Sequence, residues 1–331
     1  MNRNPFAICL QRFFTDHLTI GLRASLHTIA SYRDTFRLLL NYASEQLCRT
    51  PTDLTFEDLD ANLVGRFLGF VETVRGNSVR SRNTRLSAIR SFYKYVATHE
   101  PQLVDHCHQI LSIPAKKYER TTITYLNRAE MAALVAAPDS STWFGRRDRT
   151  LLVVALQTGL RVSELTNLSR GDIVLGTGAH VRCMGKGRKE RATPLRKDSV
   201  DALRSWLTER PGNDGDPLFI SIRGGRLSRD AVERIVQKYT ALATEMCPSL
   251  KDKRVTPHVL RHATAMTLLQ SGVDCAVIAL WLGHESIETT QIYLHADLQL
   301  KEKAMDQTKP VGVPAGRYQP PDEVMTFLEE L

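Results

Sequence analysis

The stretch Ser25-Leu-His-Thr-Ile-Ala-Ser-Tyr-Arg-Asp-Thr-Phe-Arg-Leu-Leu-Leu-Asn-Tyr-Ala-Ser-Glu-Gln-Leu47 sets the fold class. Its apolar residues Ile29, Tyr32, Phe36, Leu39, Leu40, Ala43 and Leu47 recur at spacings of three and four, which places them on one face of an amphipathic helix. Outward from it the same period returns in Leu59, Leu63, Phe67 and Phe70, and again in Leu86, Ile89, Phe92, Tyr93 and Val96. Phe6 to Phe14 begins a shorter helix on the other side. No strand pattern interrupts these segments, so residues 1–104 are predicted to be a helical bundle. Residues 105–123, with the aperiodic, basic Pro114-Ala-Lys-Lys-Tyr-Glu-Arg120, read as a linker.

After Thr124 the pattern becomes mixed. Helices are predicted at 127–136, 146–157, 161–168, 197–209, 228–244, 257–270, 274–281, 287–294 and 297–306. Asp172–Leu175, His180–Met184 and Glu190–Leu195 lie between Gly-containing turns and predict a small antiparallel sheet. The second domain is therefore placed at 124–310, and the chain as a whole is mainly α with one short sheet. Pro310 to Pro321 reads as a tether, and 311–331 ends in a short helix with Val324, Phe327, Leu328 and Leu331 on one face.

At 331 residues, with 42% hydrophobic and 24% charged, the chain has the composition of an ordinary globular protein of two domains, not a disordered or disulfide-stapled one. Six cysteines lie at least 28 residues apart, so no C-x-x-C exists, and they read as free thiols in a reducing compartment. His106, Cys107 and His108 are adjacent, but neighbours in sequence diverge on a helix, so no metal site is expected there. No run of 18 apolar residues and no signal-type leader are present, and a cytoplasmic location is expected. Lys plus Arg number 44 against 36 Asp plus Glu, for a net charge of +8, with both main segments positive and the tail negative. A polyanion suits that balance without being proved by it.

One stretch sharpens it. Arg75, Arg80, Arg82, Arg85, Arg90 and Lys94 follow one another with no acid between 73 and 99, on a helix whose apolar face already belongs to the core. Together with Lys116 and Lys117 of the linker they are candidate contacts to DNA phosphates, the alternative being a solvated helix face.

Four separated clusters hold the candidate chemistry. In Thr158-Gly-Leu-Arg-Val-Ser-Glu-Leu165 a glycine ends one helix and Arg161 opens the next, beside a helix N-terminus that favours an oxyanion, with Glu164 three residues on able to hold it. A surface Arg–Glu pair is the plain alternative. In Gly185-Lys-Gly-Arg-Lys-Glu-Arg191 the glycines make a hairpin turn with Lys186 at its tip, flanked by Arg188 and Lys189 as further candidate DNA contacts, the plain alternative being a solvated hairpin tip. In Thr256-Pro-His-Val-Leu-Arg-His262, His258 and Arg261 share a helix face, and His262 is assigned to packing or to a supporting position. In Leu282-Gly-His-Glu-Ser-Ile-Glu-Thr-Thr-Gln-Ile-Tyr-Leu-His295, nine residues on one continuous helix would set His284 and Tyr293 about 180° apart, so the break at Gly283 is needed for both to face one site.

Two Arg, two His, one Lys and one Tyr supply what attack on a phosphodiester requires. In this order the motifs T-G-L-R-x-S-E-L, G-K-G-x-K-x-R, H-x-L-R-H and L-G-H-x8-Y-x-H resemble the tyrosine recombinase, or phage integrase, family, in particular its Xer-like and mobile-element members. The resemblance covers 125–300, and the helix at 85–96 is similar to the family's SAM-like core-binding domain. It implies a C-shaped clamp on double-stranded DNA and strand exchange through a 3′-phosphotyrosine. Arg161 and Arg261 would hold the scissile phosphate, His258 would bind it and assist proton transfer, and Glu164 would support them. Lys186 would protonate the leaving 5′ oxygen, His284 would orient the phosphate or nucleophile, and Tyr293 would attack. It implies no cofactor and no metal, a tetramer on paired DNA sites in which the 322–331 helix is lent to a neighbour or folded back, and possible accessory recombinases.

The physical reading agrees, since a crowd of cations is expected to offset the roughly 4 kcal/mol needed to ionise a phenol of pKa near 10 at pH 7. A type IB topoisomerase, which nicks and reseals one strand with nearly the same residues, and a DNA-binding protein with a vestigial site are the competing readings. An RNA-binding structural protein is weakened by the absence of aromatic stacking motifs.

Overall fold

The computed structural model describes residues 4–118, 123–185, 190–284 and 286–296. It divides into two compact units, Met1–Arg120 and Thr121–Leu331.

In the first unit α1 (Pro5–Arg12) opens on the Asn4 cap, whose side chain accepts from Phe6 N, and the helix then widens into a π-turn segment, Phe13–Gly21. α2 (Leu26–Leu47), α3 (Ala61–Thr73) and α4 (Val79–His99) follow, each begun by a Ser or Asp whose side chain accepts a backbone N–H of the first turn. Their apolar faces close over one core that includes Phe6, Phe13, Phe36, Phe67 and Phe92. Phe92 meets Phe6, Phe13 and Phe36 edge-on, the geometry aromatic quadrupoles favour. Tyr93 is fully buried in the same core and donates to Leu59 O at 3.0 Å.

The linker begins later than the sequence reading has it. Val104–Leu111 is a helix, α5, that buries Cys107 and Ile110 in the first core. One buried face on so short a helix is hard to see in sequence, and His106, Cys107 and His108 diverge around it, Cys107 pointing inward. No group of metal-ligating side chains is found among the described residues.

The second unit starts with α6 (Arg128–Ala136), capped reciprocally by Asn127 and Glu130. α7 (Trp143–Thr158), α8 (Val162–Asn167), β1 (Ile173–Val174), β2 (His180–Met184), β3 (Glu190–Pro194), α9 (Lys197–Glu209), α10 (Arg229–Met246), α11 (Pro257–Gln270), α12 (Cys275–Leu282) and α13 (Glu288–Ala296) complete it. The strands form an antiparallel sheet in the order β1-β2-β3, with Cys183 opposite Arg191. α7 packs on α9 and α11, and two apolar clusters result. The larger runs from Leu126 to Ala263, and the smaller joins Ala265, Met266, Leu269, Ile278, Leu282 and Tyr293. Among the described residues no helix is long and apolar enough to cross a membrane. The tether and the final apolar stripe of 324–331 lie outside the described residues.

Candidate active site

Two glycines in the left-handed region build the site. Gly159 caps α7 at φ +62°, and a Cβ there would sit 2.6 Å from Leu282 Cδ2 and 3.3 Å from Thr264. Gly283 caps α12 at φ +65°, where a Cβ would run into the Arg191 guanidinium. Only glycine fits either position without strain and displacement.

The backbone oxygens at these turns are held by the two arginines the sequence singles out. Arg261, 3% exposed on α11, donates from Nη1 to Gly159 O at 2.7 Å and from Nη2 to Leu282 O at 2.8 Å. Arg161, at the start of α8, donates from Nη2 to Gly283 O at 2.8 Å. The guanidinium forks therefore fasten the ends of α7 and α12 together.

Between them lies one buried carboxylate. Glu164 Oε1 accepts from Arg161 Nη1 at 2.8 Å and from Arg191 Nη1 at 3.1 Å, and Oε2 accepts from Arg161 N at 2.8 Å and from Arg191 Nη2 at 2.8 Å. Burial by itself would raise its pKa, but the Arg191 hydrogen bond, the Arg161 backbone N–H and the two positive charges together hold it below the usual carboxylate range. Two guanidiniums bond to this single counter-charge and Arg261 lies within its electrostatic reach, so three cations share one carboxylate and the site is electropositive. Burial, followed by the like charge of Arg161, pulls even Arg261 down to about 10.

The break at Gly283 brings His284 and Tyr293 together. Their rings lie nearly parallel, with centroids 6.4 Å apart, and His284 Nδ1 is 2.7 Å from Oγ1 of the buried Thr290. Tyr293 is 1% exposed, and its hydroxyl is 2.9 Å from His262 Nδ1. His258 is exposed at the start of α11, its ring edge-on to that of His262 at 4.3 Å. Burial and the surrounding cations hold both His262 and His284 down to about 4, so both rings are neutral at pH 7.

One expectation about the phenol is reversed. Burial outweighs the cations, of which Arg261 acts most directly, and Tyr293 is pushed up to about 12. Ionising it at pH 7 would thus cost about 7 kcal/mol, more than the free side chain requires.

The structure thus gathers Arg161, Glu164, His258, Arg261, His284 and Tyr293 around one turn. Lys186, Arg188 and Lys189 lie outside the described residues. The sequence reading leaves Arg191 unassigned and gives His262 only packing or a supporting position. Arg191 stands in the quoted G-K-G-x-K-x-R motif, and strand alternation with the buried Thr193 places it on the inward face. His262 is four residues from His258, so the two share a helix face, a signal overlooked because His262 is also adjacent to Arg261.

The basic face of the first unit is smaller than expected. Arg82 is buried, donating to Pro114 O at 3.2 Å and to Asn83 at 3.0 Å, with Glu72 at 4.0 Å. Arg90 donates to Ile113 O, and Lys116 pairs with Glu72 at 2.8 Å. These carbonyls make Arg82 and Arg90 ties between α4 and the segment after α5, and Glu72, just outside the acid-free window, ties Lys116 of that segment to α3. Arg85 is half-buried, and its pKa is lowered by burial and by Arg75. Arg80, Lys94 and Lys117 are exposed.

Residues 124–299 match the phage integrase family, and residues 11–100 match the phage integrase N-terminal SAM-like domain. A protein of Sinorhizobium fredii named as an integrase/recombinase, y4rC, is 52% identical over 322 residues, covering 97% of each chain. Tyrosine recombinase XerC of Pelobacter propionicus is 34% identical over 300 residues, covering 90% of this chain and 94% of its own. The crystal structure of XerH site-specific recombinase bound to a palindromic difH substrate, a post-cleavage complex, superposes with a TM-score of 0.68 at 23% identity, over 92% of this chain and 90% of that one.

Proposed function

The chain belongs to the phage integrase family of tyrosine recombinases, and from that premise we propose that it cleaves and rejoins double-stranded DNA through a covalent link to Tyr293. The observation that carries this reading is the junction at Leu282–Gly283, where Arg161 and Arg261 are fastened within the same cluster that holds Tyr293. Tyr293 Oη attacks the scissile phosphorus, and the bond to the 5′ oxygen breaks. Arg161 and Arg261 neutralise the charge that develops on the non-bridging oxygens. Glu164 orients Arg161, His258 binds the phosphate, His284 orients the tyrosine ring, and Lys186 delivers a proton to the departing 5′ oxygen. A phosphotyrosine ester retains the energy of the diester, so resealing to a new strand requires no nucleotide.

The first unit contributes phosphate contacts through Arg80, Lys94 and Lys117, and both units bind the duplex. Paired sites are joined by a tetramer of this chain in the cytoplasm, for integration, excision, transposition or resolution of a DNA element. A nicked suicide duplex, which traps the covalent intermediate, tests the reading. Wild-type protein is expected to accumulate adduct and Tyr293→Phe to bind the duplex without any. Adduct at the wild-type level with Tyr293→Phe would refute the assignment.

A further inference from the structure

The hydroxyl of Tyr293 faces a neutral imidazole other than those the family motif assigns to phosphate contact. His262 Nδ1 lies 2.9 Å from Tyr293 Oη, within the range in which a proton moves between heavy atoms. His284 is not in that position. Its Nδ1 is engaged with Thr290 Oγ1, and its ring stacks on the tyrosine face. His258 meets His262 edge-on rather than through the tyrosine.

Resting on the reading of Tyr293 as nucleophile, we infer that His262 is a catalytic residue that accepts the hydroxyl proton of Tyr293 as the phenolic oxygen attacks phosphorus. The Oη–H electron pair stays on oxygen and becomes the new O–P bond, the proton passes to Nδ1, and the P–O5′ bond breaks with its electrons on the 5′ oxygen, which takes a proton from Lys186. In religation the 5′ hydroxyl attacks phosphorus and gives its proton back to Lys186, the Oη–P bond breaks with its electrons on Oη, and the same proton returns from Nδ1 to Oη.

Two features support the assignment. The tyrosine is buried and burial pushes it up to about 12, so at neutral pH its proton leaves during attack, to a group already in contact. The groups that face His262 are His258 and Arg261 on its own helix, and His284 and Tyr293 across from it. Burial first, and then the neighbouring His258 and Arg261, disfavour a proton on the imidazole, which suits it to receive one at Nδ1.

Single-turnover cleavage of the nicked suicide duplex between pH 6 and 9 tests the inference, with duplex binding measured alongside by gel shift. His262→Gln keeps an acceptor oxygen but cannot take the proton. It is expected to bind the duplex normally and to cleave about 100-fold or more slowly at pH 7. Its rate should rise roughly tenfold per pH unit as phenolate becomes the reacting form, against a nearly flat wild-type profile. His262→Ala should be similarly slow and recover rate on addition of imidazole. A His262→Gln rate within threefold of wild type with a flat profile would overturn the inference, as would a loss that is equal at every pH with no imidazole rescue of His262→Ala. Tyr293→Phe serves as the separate control. If it still forms adduct, the nucleophile assignment fails first, whereas a dead Tyr293→Phe beside a normal His262→Gln defeats only the role of His262.

Discussion

Glu164→Gln removes one negative charge from a carboxylate that is 6% exposed and accepts four hydrogen bonds, two from Arg161 and two from Arg191. A carboxamide offers one oxygen and one NH2, so two of the four donors would meet another donor. Two largely buried guanidiniums would also lose their shared counter-charge. Breaking a buried pair from one side costs about 3–5 kcal/mol, and because one acceptor oxygen survives, the lower end, about 3 kcal/mol, is expected. For a unit of this size that lowers the Tm by roughly 6–12 °C.

The pH dependence has a definite sign. The folded-state pKa of Glu164 is depressed, so its contribution is fully present above the unfolded carboxylate pKa of about 4.3 and fades as pH falls through the folded value. The gap between wild type and Glu164→Gln should therefore be constant near neutrality and close on acidification. Thermal unfolding followed by circular dichroism at several pH values measures both. A Tm within 2 °C of wild type at pH 7, or a gap that widens toward acid, would refute the argument.

Arg261→Lys replaces a fork bonded to Gly159 O and Leu282 O with a point charge, and cleavage is expected to fall about 100- to 1,000-fold while duplex affinity changes little. Comparable cleavage by the lysine variant would show that charge alone suffices. Gly159→Ala meets a positive φ and the Leu282 side chain, and at about 2 kcal/mol should lower the Tm by roughly 4–8 °C; an unchanged Tm would contradict the packing given for this turn. Neutralising exposed Arg80 and Lys94 together should flatten the salt dependence of duplex binding by about 0.9 log unit for each phosphate no longer bound. Arg82→Ala should leave that slope unaltered and destabilise the first unit instead, since the guanidinium holds Pro114 O; the reverse pattern would restore Arg82 as a phosphate ligand.

Helix positions were legible wherever an apolar stripe was long. α2, α4, α7 and α10 follow their periodicity, and even the three short strands fall where Gly-containing turns bracket alternating residues. α5 escaped because eight residues with two buried side chains carry too little pattern. The site arginines were legible from motif order, and the left-handed Gly159 and Gly283 explain why the breaks fall where they do. What sequence spacing could not show was the balance of environments. A run of cations looks free until Glu72, Ile113 and Pro114 are folded against it, and Tyr293 looks activated by positive charge until its burial is known. Both depend on desolvation, which is a property of the packed chain.

Peptide mapping of the trapped protein–DNA adduct bears most directly on the assignment of the nucleophile. After nuclease and protease digestion, mass spectrometry is expected to find the nucleotide remnant on the peptide containing Tyr293, joined through a 3′ phosphate to the tyrosine oxygen. A remnant on any other residue, or one joined through a 5′ phosphate, would contradict the mechanism built on this site.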